Sequence, residues 1–296
     1  MRGSDYLRLC ALAALWGASF LFMRIASPAF GAINTAFFRV ALGFGGLLFT
    51  LALLKRSLNF AGKFGPSLIL GIINSGVPFL MYCLAAKWLP ASYSAILNAT
   101  TPLMGALFGI TLFREAVSAK KLSGMALGLC GIIAITAVSE LPSARATAAG
   151  VASCLTATAC YALAGFLTRM WITRRGGLDA TLVALGSQMG ASLFLLPFFI
   201  YGIATGPAID WLQPVAWASV IALGTACTAL AYILYFRLIA DIGPLRSLMV
   251  TFLIPPFALL WGYLALGETA GAGSLAAAAA IGIGVWMVVS PGKSER

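Results

Sequence analysis

Polar and aromatic side chains in this very apolar sequence recur at helical spacing. Ser94, Asn98 and Thr101 are separated by four and then three residues, so a helix would align them on one face. Other apolar segments carry comparable faces of hydroxyls and aromatic rings, formed by Trp16, Ser19, Ser75, Phe79, Tyr82, Tyr161, Thr228, Tyr232, Tyr235, Ser247 and Thr251. Such side chains stack on rings and exchange hydrogen bonds, which is the chemistry of binding a small molecule.

Two interpretations of these faces stay open. Hydroxyls within apolar helices also make interhelical hydrogen bonds, each worth about 0.6–2 kcal/mol, and these need no ligand. A lipid-facing surface would not carry so many hydroxyls, so the faces must point inward. Because aromatic, small and hydroxyl-bearing residues converge from six segments, we favour a central cavity that holds a substrate.

Three prolines accompany these faces, and we predict hinges at Pro78, Pro102 and Pro255. A proline removes the hydrogen bond to the carbonyl four residues earlier. Pro102 should therefore free the carbonyl of Asn98, and Pro255 should free that of Thr251. Paired breaks at these positions would offer acceptors to an ammonium group and bends for gating. A packing kink without a functional role is the alternative.

The other reactive residue types argue against enzymatic chemistry. The chain has no histidine, and its eight carboxylates all fall in predicted loops or at segment ends. A Cys–His zinc site, a Cys–His nucleophile and a mid-membrane carboxylate for proton exchange therefore lack their residues. The six cysteines lie in apolar segments, where they serve as small packing residues. We expect no cofactor, no metal ion, no enzymatic activity and no need for a proton gradient.

Arg39 is the one charged side chain that we place inside an apolar segment. Burying such a charge costs about 2.5–3.5 kcal/mol on insertion scales. One interpretation is an interhelical anchor, snorkelling or hydrogen-bonded to backbone carbonyls. The other is a contact for an anionic group of the substrate, a carboxylate or a phosphate.

The composition requires a lipid bilayer as the solvent. Of 296 residues, 61% are hydrophobic and 9% are charged, which is more apolar surface than a soluble domain can bury. Ten apolar runs, spans one to ten, can each cross the membrane, near 7–26, 31–54, 65–86, 90–113, 121–139, 147–170, 180–201, 215–238, 243–266 and 273–290. We read the first run as a retained helix and not as a signal peptide. The prediction is an all-α membrane protein with ten transmembrane helices.

The sequence contains a duplication. Spans three and four match spans eight and nine at an offset of 153 residues. The matched residues include Tyr82, Ser94, Asn98, Pro102 and Glu115 in one copy and Tyr235, Ser247, Thr251, Pro255 and Glu268 in the other. Span two matches span seven loosely, with Arg39 opposite Gln188. We assign 1–139 and 146–291 to two five-helix repeats; because five is odd, the second is inverted, as in alternating-access transporters with a central cavity.

The distribution of charge sets the orientation. The net charge is +11, but most Lys and Arg residues fall on one side of the ten-span topology, with only Arg24, Lys87 and Arg145 on the other. The positive-inside rule then places both termini in the cytoplasm. The bilayer accounts for the basic charge, so we expect no nucleic-acid partner.

Spans five and ten are rich in small residues and carry no polar stripe. Span five contains Gly124, Gly128 and Gly131, and span ten contains Gly282 and Gly284. Small residues let helix backbones approach closely in lipid. We interpret both spans as scaffold outside the working helices and expect a monomer, with a dimer interface as the alternative.

At these residues the chain resembles the drug/metabolite transporter superfamily, EamA type. The resemblance rests on Leu-Trp-Gly at 15–17, Arg39, the prolines of spans four and nine, and the span ends at Arg114–Glu115 and Gly267–Glu268. The most similar subgroup is the bacterial aromatic amino-acid exporters of the YddG type. The resemblance implies a bacterial cytoplasmic (inner) membrane exporter with a cavity between spans one to four and six to nine. Arg114 stands where the family has a glycine.

The leading hypothesis is a transporter that exports amino acids, aromatic or otherwise neutral, and related metabolites. A carrier of phosphorylated metabolites should have two or more basic residues in its cavity, and only Arg39 is available here. A multidrug exporter of the same superfamily is a further alternative. A non-transporting scaffold would have no need of matched prolines and polar faces in both halves.

Overall fold

The computed structural model describes residues 3–112, 118–138, 144–206, 209–242, 250–269 and 271–289, and all regular structure in these ranges is helical. The α-helices are α1 Gly3–Phe30, α2 Ala32–Leu53, α3 Phe64–Gly71, α4 Val77–Ala85, α5 Ala91–Asn98, α6 Thr101–Thr111, α7 Ala119–Val138, α8 Ala144–Trp171, α9 Ala180–Thr205, α10 Pro214–Gly224, α11 Ala231–Ile242, α12 Val250–Leu266 and α13 Ala272–Val289. A short 3-10 turn, Thr173–Arg175, follows α8.

Seven helical segments in these ranges are long and apolar enough to cross a membrane, judged by length and composition. They are Ser4–Phe30, Ala32–Leu53, Phe64–Ala85, Ala91–Thr111, Ala144–Arg175, Ala180–Thr205 and Pro214–Tyr235. Two shorter apolar helices are Leu253–Leu266 and Leu275–Met287. Large apolar side chains are exposed along the outer helix faces, which suits contact with lipid. The chain therefore has the composition of a multi-pass helical membrane protein.

Two of these segments contain a wide π-helical turn. The turn π1, Ile72–Gly76, joins α3 to α4, and π2, Thr225–Leu230, joins α10 to α11. A π turn accommodates one extra residue in the helix and often accompanies a functional site. Pro78 lies in the first turn of α4, where the hydrogen bond that proline cannot make is easily lost. Ala231 follows π2 at the matching position, so proline is not required for the turn.

The helix breaks expected at the prolines of spans four and nine are present at only one of them. The chain breaks between α5 and α6, just before Pro102, whereas α12 continues through Pro255 without a break. The carbonyl of Asn98 is not free, because the Thr101 hydroxyl donates to it at 2.7 Å. Thr100 likewise donates its hydroxyl to Leu97 O at 2.7 Å.

These hydroxyls explain the difference between the two halves. Threonine side chains that bind carbonyls of the preceding turn compete with the helical hydrogen-bond ladder. The residues at the corresponding positions of α12 are Leu253 and Ile254, which have no hydroxyl. The expected pair of breaks is therefore present only in the first half.

The first helix of each predicted repeat packs on the other repeat. Helix α1 contacts α10, α11 and α12, and α8 contacts α4, α5 and α6. Helices α7 and α13 pack against each other. A β-carbon built on Gly131 would lie 2.7 Å from the Ile281 side chain, and one on Gly284 would lie 2.6 Å from the carbonyl oxygen of Gly124. The small-residue faces of spans five and ten thus meet within the chain.

Candidate functional site

Aromatic rings from four helices form two contacting pairs. Trp16 of α1 contacts Tyr235 of α11 with ring centroids 5.3 Å apart. Tyr82 of α4 stacks on Tyr161 of α8, at 6.2 Å between centroids and 28° between planes. The structure therefore pairs four of the rings singled out from the sequence, and each pair joins a ring of the first half to one of the second. Phe20 also packs edge-on against Tyr82 at 5.3 Å; the sequence analysis missed it, although it lies one turn after Trp16 on the same face.

A hydrogen bond links this aromatic cluster to the polar face of span four. The Tyr82 hydroxyl donates to Asn98 Oδ1 at 2.8 Å and so joins α4 to α5. Tyr82 is buried, whereas Asn98 is only partly buried. Beyond it on the same face, a β-carbon built on Gly105 would meet nothing within 4 Å. There is open space beside this stretch of the face.

Several predicted site hydroxyls bond to their own helix. Ser19 donates to Trp16 O at 2.6 Å, and Thr101 is bound to Asn98 O as described above. Ser94 is buried and lies against Cys154 of α8. Thr251 of α12 is partly buried, and Ser247 lies outside the described residues. Among the described residues Ser94 Oγ has no hydrogen-bond partner, whereas the Ser19 and Thr101 hydroxyls already donate to their own helices.

The second polar region is the crossing of two helices, α3 and α9. A β-carbon built on Gly71 would overlap the carbonyl oxygen of Ser187, so the two backbones touch. Next to this contact, Gln188 is fully buried and donates from Nε2 to Ser75 Oγ of π1 at 3.0 Å. The Tyr232 hydroxyl also hydrogen-bonds to Ser75. We call this region the α3–α9 crossing.

A similar contact forms where α2 meets the end of α10, and we call it the α2–α10 crossing. A β-carbon built on Gly224 would overlap Leu42, and one on Gly43 would lie 2.7 Å from Thr228 Cγ2. Thr228, in π2, donates its hydroxyl to Leu223 O at 2.8 Å. Its Oγ1 also accepts from Arg39 Nε at 3.4 Å.

The two crossings use residues at matching positions. Gly71 and Gly224 each precede a π turn at the 153-residue offset, and Ser75 and Thr228 lie within the turns at the same offset. The polar partners on the facing helices are Gln188 and Arg39. The sequence paired these two positions but did not predict their partners, because a π turn leaves no clear signal in helical periodicity.

Arg39 contacts side chains from α1, α4 and π2. The side chain is buried, with 5% of its surface exposed. Its Nη1 lies 3.4 Å from Met23 Sδ, and its guanidinium carbon lies 3.7 Å from the centroid of the Phe79 ring. Among the described residues, no backbone carbonyl accepts a hydrogen bond from it and no carboxylate pairs with it. The guanidinium is held by a hydroxyl, a thioether and a ring.

Charged contacts that the sequence analysis missed lie at both ends of α1. At one end Arg8 pairs with Asp241 of α11 and lies 3.6 Å from Asp5. At the other, Arg24 Nε lies 3.6 Å from Glu268 Oε1.

The Arg24 end also connects to the start of α5. Arg24 donates to the carbonyl of Ala86, and Glu268 accepts from the backbone N–H of Ala91 at 3.1 Å. Burial raises the pKa of the Glu268 carboxyl, and the N–H of Ala91 and the charge of Arg24 oppose this increase only in part. The cluster joins α1 and the end of α12 to α4 and α5.

Comparison with known proteins identifies the class to which this helical fold belongs. The EamA-like transporter family matches residues 5–137 and again residues 148–290. The chain therefore belongs to the EamA-like transporter family.

Individual relatives are distant. The protein PecM of Dickeya dadantii is 28% identical over 254 residues, which are 86% of this chain and 82% of PecM. An uncharacterized transporter of Archaeoglobus fulgidus is 24% identical over 273 residues, 90% of this chain and 91% of that protein. A protein named as a probable terminal-alkyne amino-acid exporter, from Streptantibioticus cattleyicolor, is 27% identical over 179 residues, 60% of this chain and 57% of that protein.

One solved crystal structure superposes with a TM-score of 0.65 and 18% identity, over 97% of this chain and 96% of the other. At this identity the similarity concerns the fold alone.

Proposed function

We propose that the protein exports amino acids, aromatic or otherwise neutral, across the bacterial cytoplasmic membrane by alternating access through a central cavity. The observation that carries the proposal is that two ring pairs, Trp16–Tyr235 and Tyr82–Tyr161, each join the two halves. Asn98 is bonded to the second pair through Tyr82. Aromatic walls suit an apolar or aromatic side chain, and the amide suits the polar end of an amino acid. The name of the Streptantibioticus relative is in keeping with this substrate class.

The topology that we propose has ten spans in two inverted repeats, 1–139 and 146–291, with both termini in the cytoplasm. The matched positions of π1 and π2 support the duplication. The packing of α1 on α10–α12, and of α8 on α4–α6, supports an exchange of first helices between the repeats. The small-residue contact between α7 and α13 within the chain favours a monomer.

In this proposal the substrate moves without chemical change. Its ring lies among Trp16, Tyr82, Tyr161 and Tyr235. The helix break before Pro102 and the π turn before Pro78 allow the surrounding helices to bend, and Pro255 supplies a weaker point in α12. The cluster of Arg24 and Glu268 closes one end of the pathway while the other end is open.

The direct test is flux of labelled amino acids in proteoliposomes. We expect phenylalanine or tryptophan to move down its gradient without an imposed proton gradient. Tyr82→Ala and Tyr235→Ala should reduce flux of aromatic amino acids more than flux of alanine, since the lost ring contact scales with the size of the substrate.

Tyr263→Ala is the matched control, because this tyrosine is 61% exposed on the outer surface of α12. Normal flux in both inner variants at normal expression would show that the rings serve packing and not binding. Flux that appears only with a pH gradient would contradict uncoupled transport.

A further inference from the structure

Arg39 carries a buried positive charge, with 5% of its surface exposed. None of the carboxylates in the described ranges pairs with it. Removing a charge from water is costly unless the charge is paired and hydrogen-bonded. A guanidinium buried in this way therefore needs a compensating partner, and a bound anionic ligand would provide one.

The groups that surround the guanidinium satisfy it poorly. A guanidinium has five N–H donors, and the partners here are one hydroxyl and one thioether, both at 3.4 Å. The Phe79 ring lies against its face at 3.7 Å, which fixes the orientation of the planar group without using its N–H edges. An oriented guanidinium with unused donors matches the two oxygens of a carboxylate.

The matching position in the other half shows what structural packing alone needs. Gln188, at the α3–α9 crossing, makes a 3.0 Å hydrogen bond to Ser75 with a neutral amide. The glycines, π turn and hydroxyl at the α2–α10 crossing are equivalent, yet the side chain there is charged. Helix packing therefore does not explain the charge of Arg39.

Arg39 lies close to the aromatic cluster. Phe79, which the guanidinium contacts, lies one turn before Tyr82 on α4. Met23, which also contacts it, lies one turn after Phe20, and Phe20 packs on Tyr82. Tyr82 is among the rings to which we assign the substrate side chain. We propose that Arg39 binds the α-carboxylate of the substrate, which rests on the proposed function, so that a free carboxylate is required for recognition. A single guanidinium suits a carboxylate of charge −1 better than a phosphate dianion, which would call for a second cation.

The experiment measures binding to the purified protein by ligand-dependent thermal shift, with four probes that share one ring. They are phenylalanine, phenylalaninamide, 3-phenylpropionate and phenyl phosphate. We expect phenylalanine and 3-phenylpropionate to bind at least about tenfold more tightly than phenylalaninamide, a difference of about 1.4 kcal/mol. Equal binding of the acid and the amide would overturn the proposal, and so would tighter binding of phenyl phosphate than of 3-phenylpropionate.

Variants assign the effect to the residue. Arg39→Gln should weaken phenylalanine at least about tenfold while leaving phenylalaninamide unchanged, and Arg39→Lys should restore part of the loss. Arg174→Gln removes an exposed arginine and should change neither ligand. An equal loss of both ligands in Arg39→Gln and Arg39→Lys would show a structural residue. If Arg39→Gln does not fold, Arg39→Lys and the four probes on the wild type still test whether Arg39 binds the carboxylate.

Failure of this inference differs from failure of the proposed function. Normal amino-acid flux with no preference for the acid over the amide would refute the carboxylate site and leave the exporter proposal intact. Absence of amino-acid flux, together with Arg39-dependent binding of 3-phenylpropionate, would refute the exporter proposal and support an anion site for another carboxylate.

Discussion

The α2–α10 and α3–α9 crossings contain the same kinds of residues at matching positions but differ in charge and in closeness. At the α3–α9 crossing, Gly71 admits the backbone of α9, and the neutral Gln188 bonds to Ser75 at 3.0 Å. At the α2–α10 crossing, a β-carbon on the matching Gly224 would overlap the Leu42 side chain and lie 3.2 Å from the α2 backbone, and the charged Arg39 bonds at 3.4 Å. The same local arrangement thus holds a neutral amide at one crossing and a charge at the other. Gln188 Oε1 also has no hydrogen-bond partner among the described residues, so the charge of Arg39 is what distinguishes the two crossings.

The largest loss of stability should come from adding a methyl group at the α3–α9 crossing. Gly71→Ala places a methyl group into the carbonyl of Ser187, and neither backbone can yield without moving a helix. We expect a loss of stability of about 3 kcal/mol, at the upper end for overpacking. Thermal unfolding in detergent measures it. Gly65→Ala is the control, because a β-carbon there meets nothing within 4 Å; equal melting temperatures for the two variants would contradict the close contact.

A smaller effect should follow from adding a methyl group on α2 at the α2–α10 crossing. Gly43→Ala brings a methyl group to 2.7 Å from Thr228 Cγ2, a side chain that can rotate away. We expect a loss of about 1–2 kcal/mol, within the range for overpacking. The rotation should also break the Arg39–Thr228 contact and weaken the preference for a carboxylate over an amide.

Gly45→Ala is the matched control on the same helix, since nothing lies within 4 Å of its β-carbon. Thermal unfolding and the ligand series together check the prediction. A stability loss as large as that of Gly71→Ala would show that the two crossings are equally rigid.

Removing the hydroxyls should separate stability from recognition. Ser75→Ala leaves the buried Nε2 of Gln188 without its acceptor and should cost about 1–2 kcal/mol. Thr228→Val keeps the shape but removes both the 2.8 Å bond to Leu223 O and the long bond from Arg39. We expect a loss of about 1 kcal/mol, the typical net value for a hydrogen bond, with a clear change in carboxylate affinity. If Thr228→Val lowers the melting temperature more than Ser75→Ala does, the hydroxyl at the α2–α10 crossing contributes more to stability, which contradicts the prediction.

The smallest effect should come from Glu268, which lies outside both crossings and serves as a reference. Its pKa is raised above the ordinary value of 4.5, mainly by burial. The folded protein therefore binds this proton more tightly than the unfolded chain does, so the contribution to stability is present at low pH and is lost as pH rises through the raised value. Between the ordinary and the raised pKa of Glu268, the melting temperature of the wild type should fall as pH rises. Glu268→Gln should remove that part of the decrease and leave the preference for a carboxylate ligand unchanged. An unaltered slope in Glu268→Gln would assign the pH dependence to other groups.

Much of the candidate site could be predicted from periodicity. The spacing of aromatic residues in spans one, three, six and eight placed four rings on inward faces, and the structure brings them into contact as the pairs Trp16–Tyr235 and Tyr82–Tyr161. Two of the predicted hydroxyls already have partners within their own helices. Ser19 and Thr101 bond to their own helices, because a hydroxyl can reach a carbonyl of the preceding turn as readily as a ligand.

The helical fold class and the family could be predicted from the sequence, because apolar runs of membrane length and residues typical of the family are local features of the chain. The sequence also marked Arg39 as exceptional, since a charge in such a run is costly wherever it packs. The tertiary structure alone decided that Arg39 meets Thr228, Met23 and Phe79, and that the glycines admit a neighbouring helix. These contacts join residues far apart in sequence, and they depend on helix crossings and π turns that periodicity does not encode.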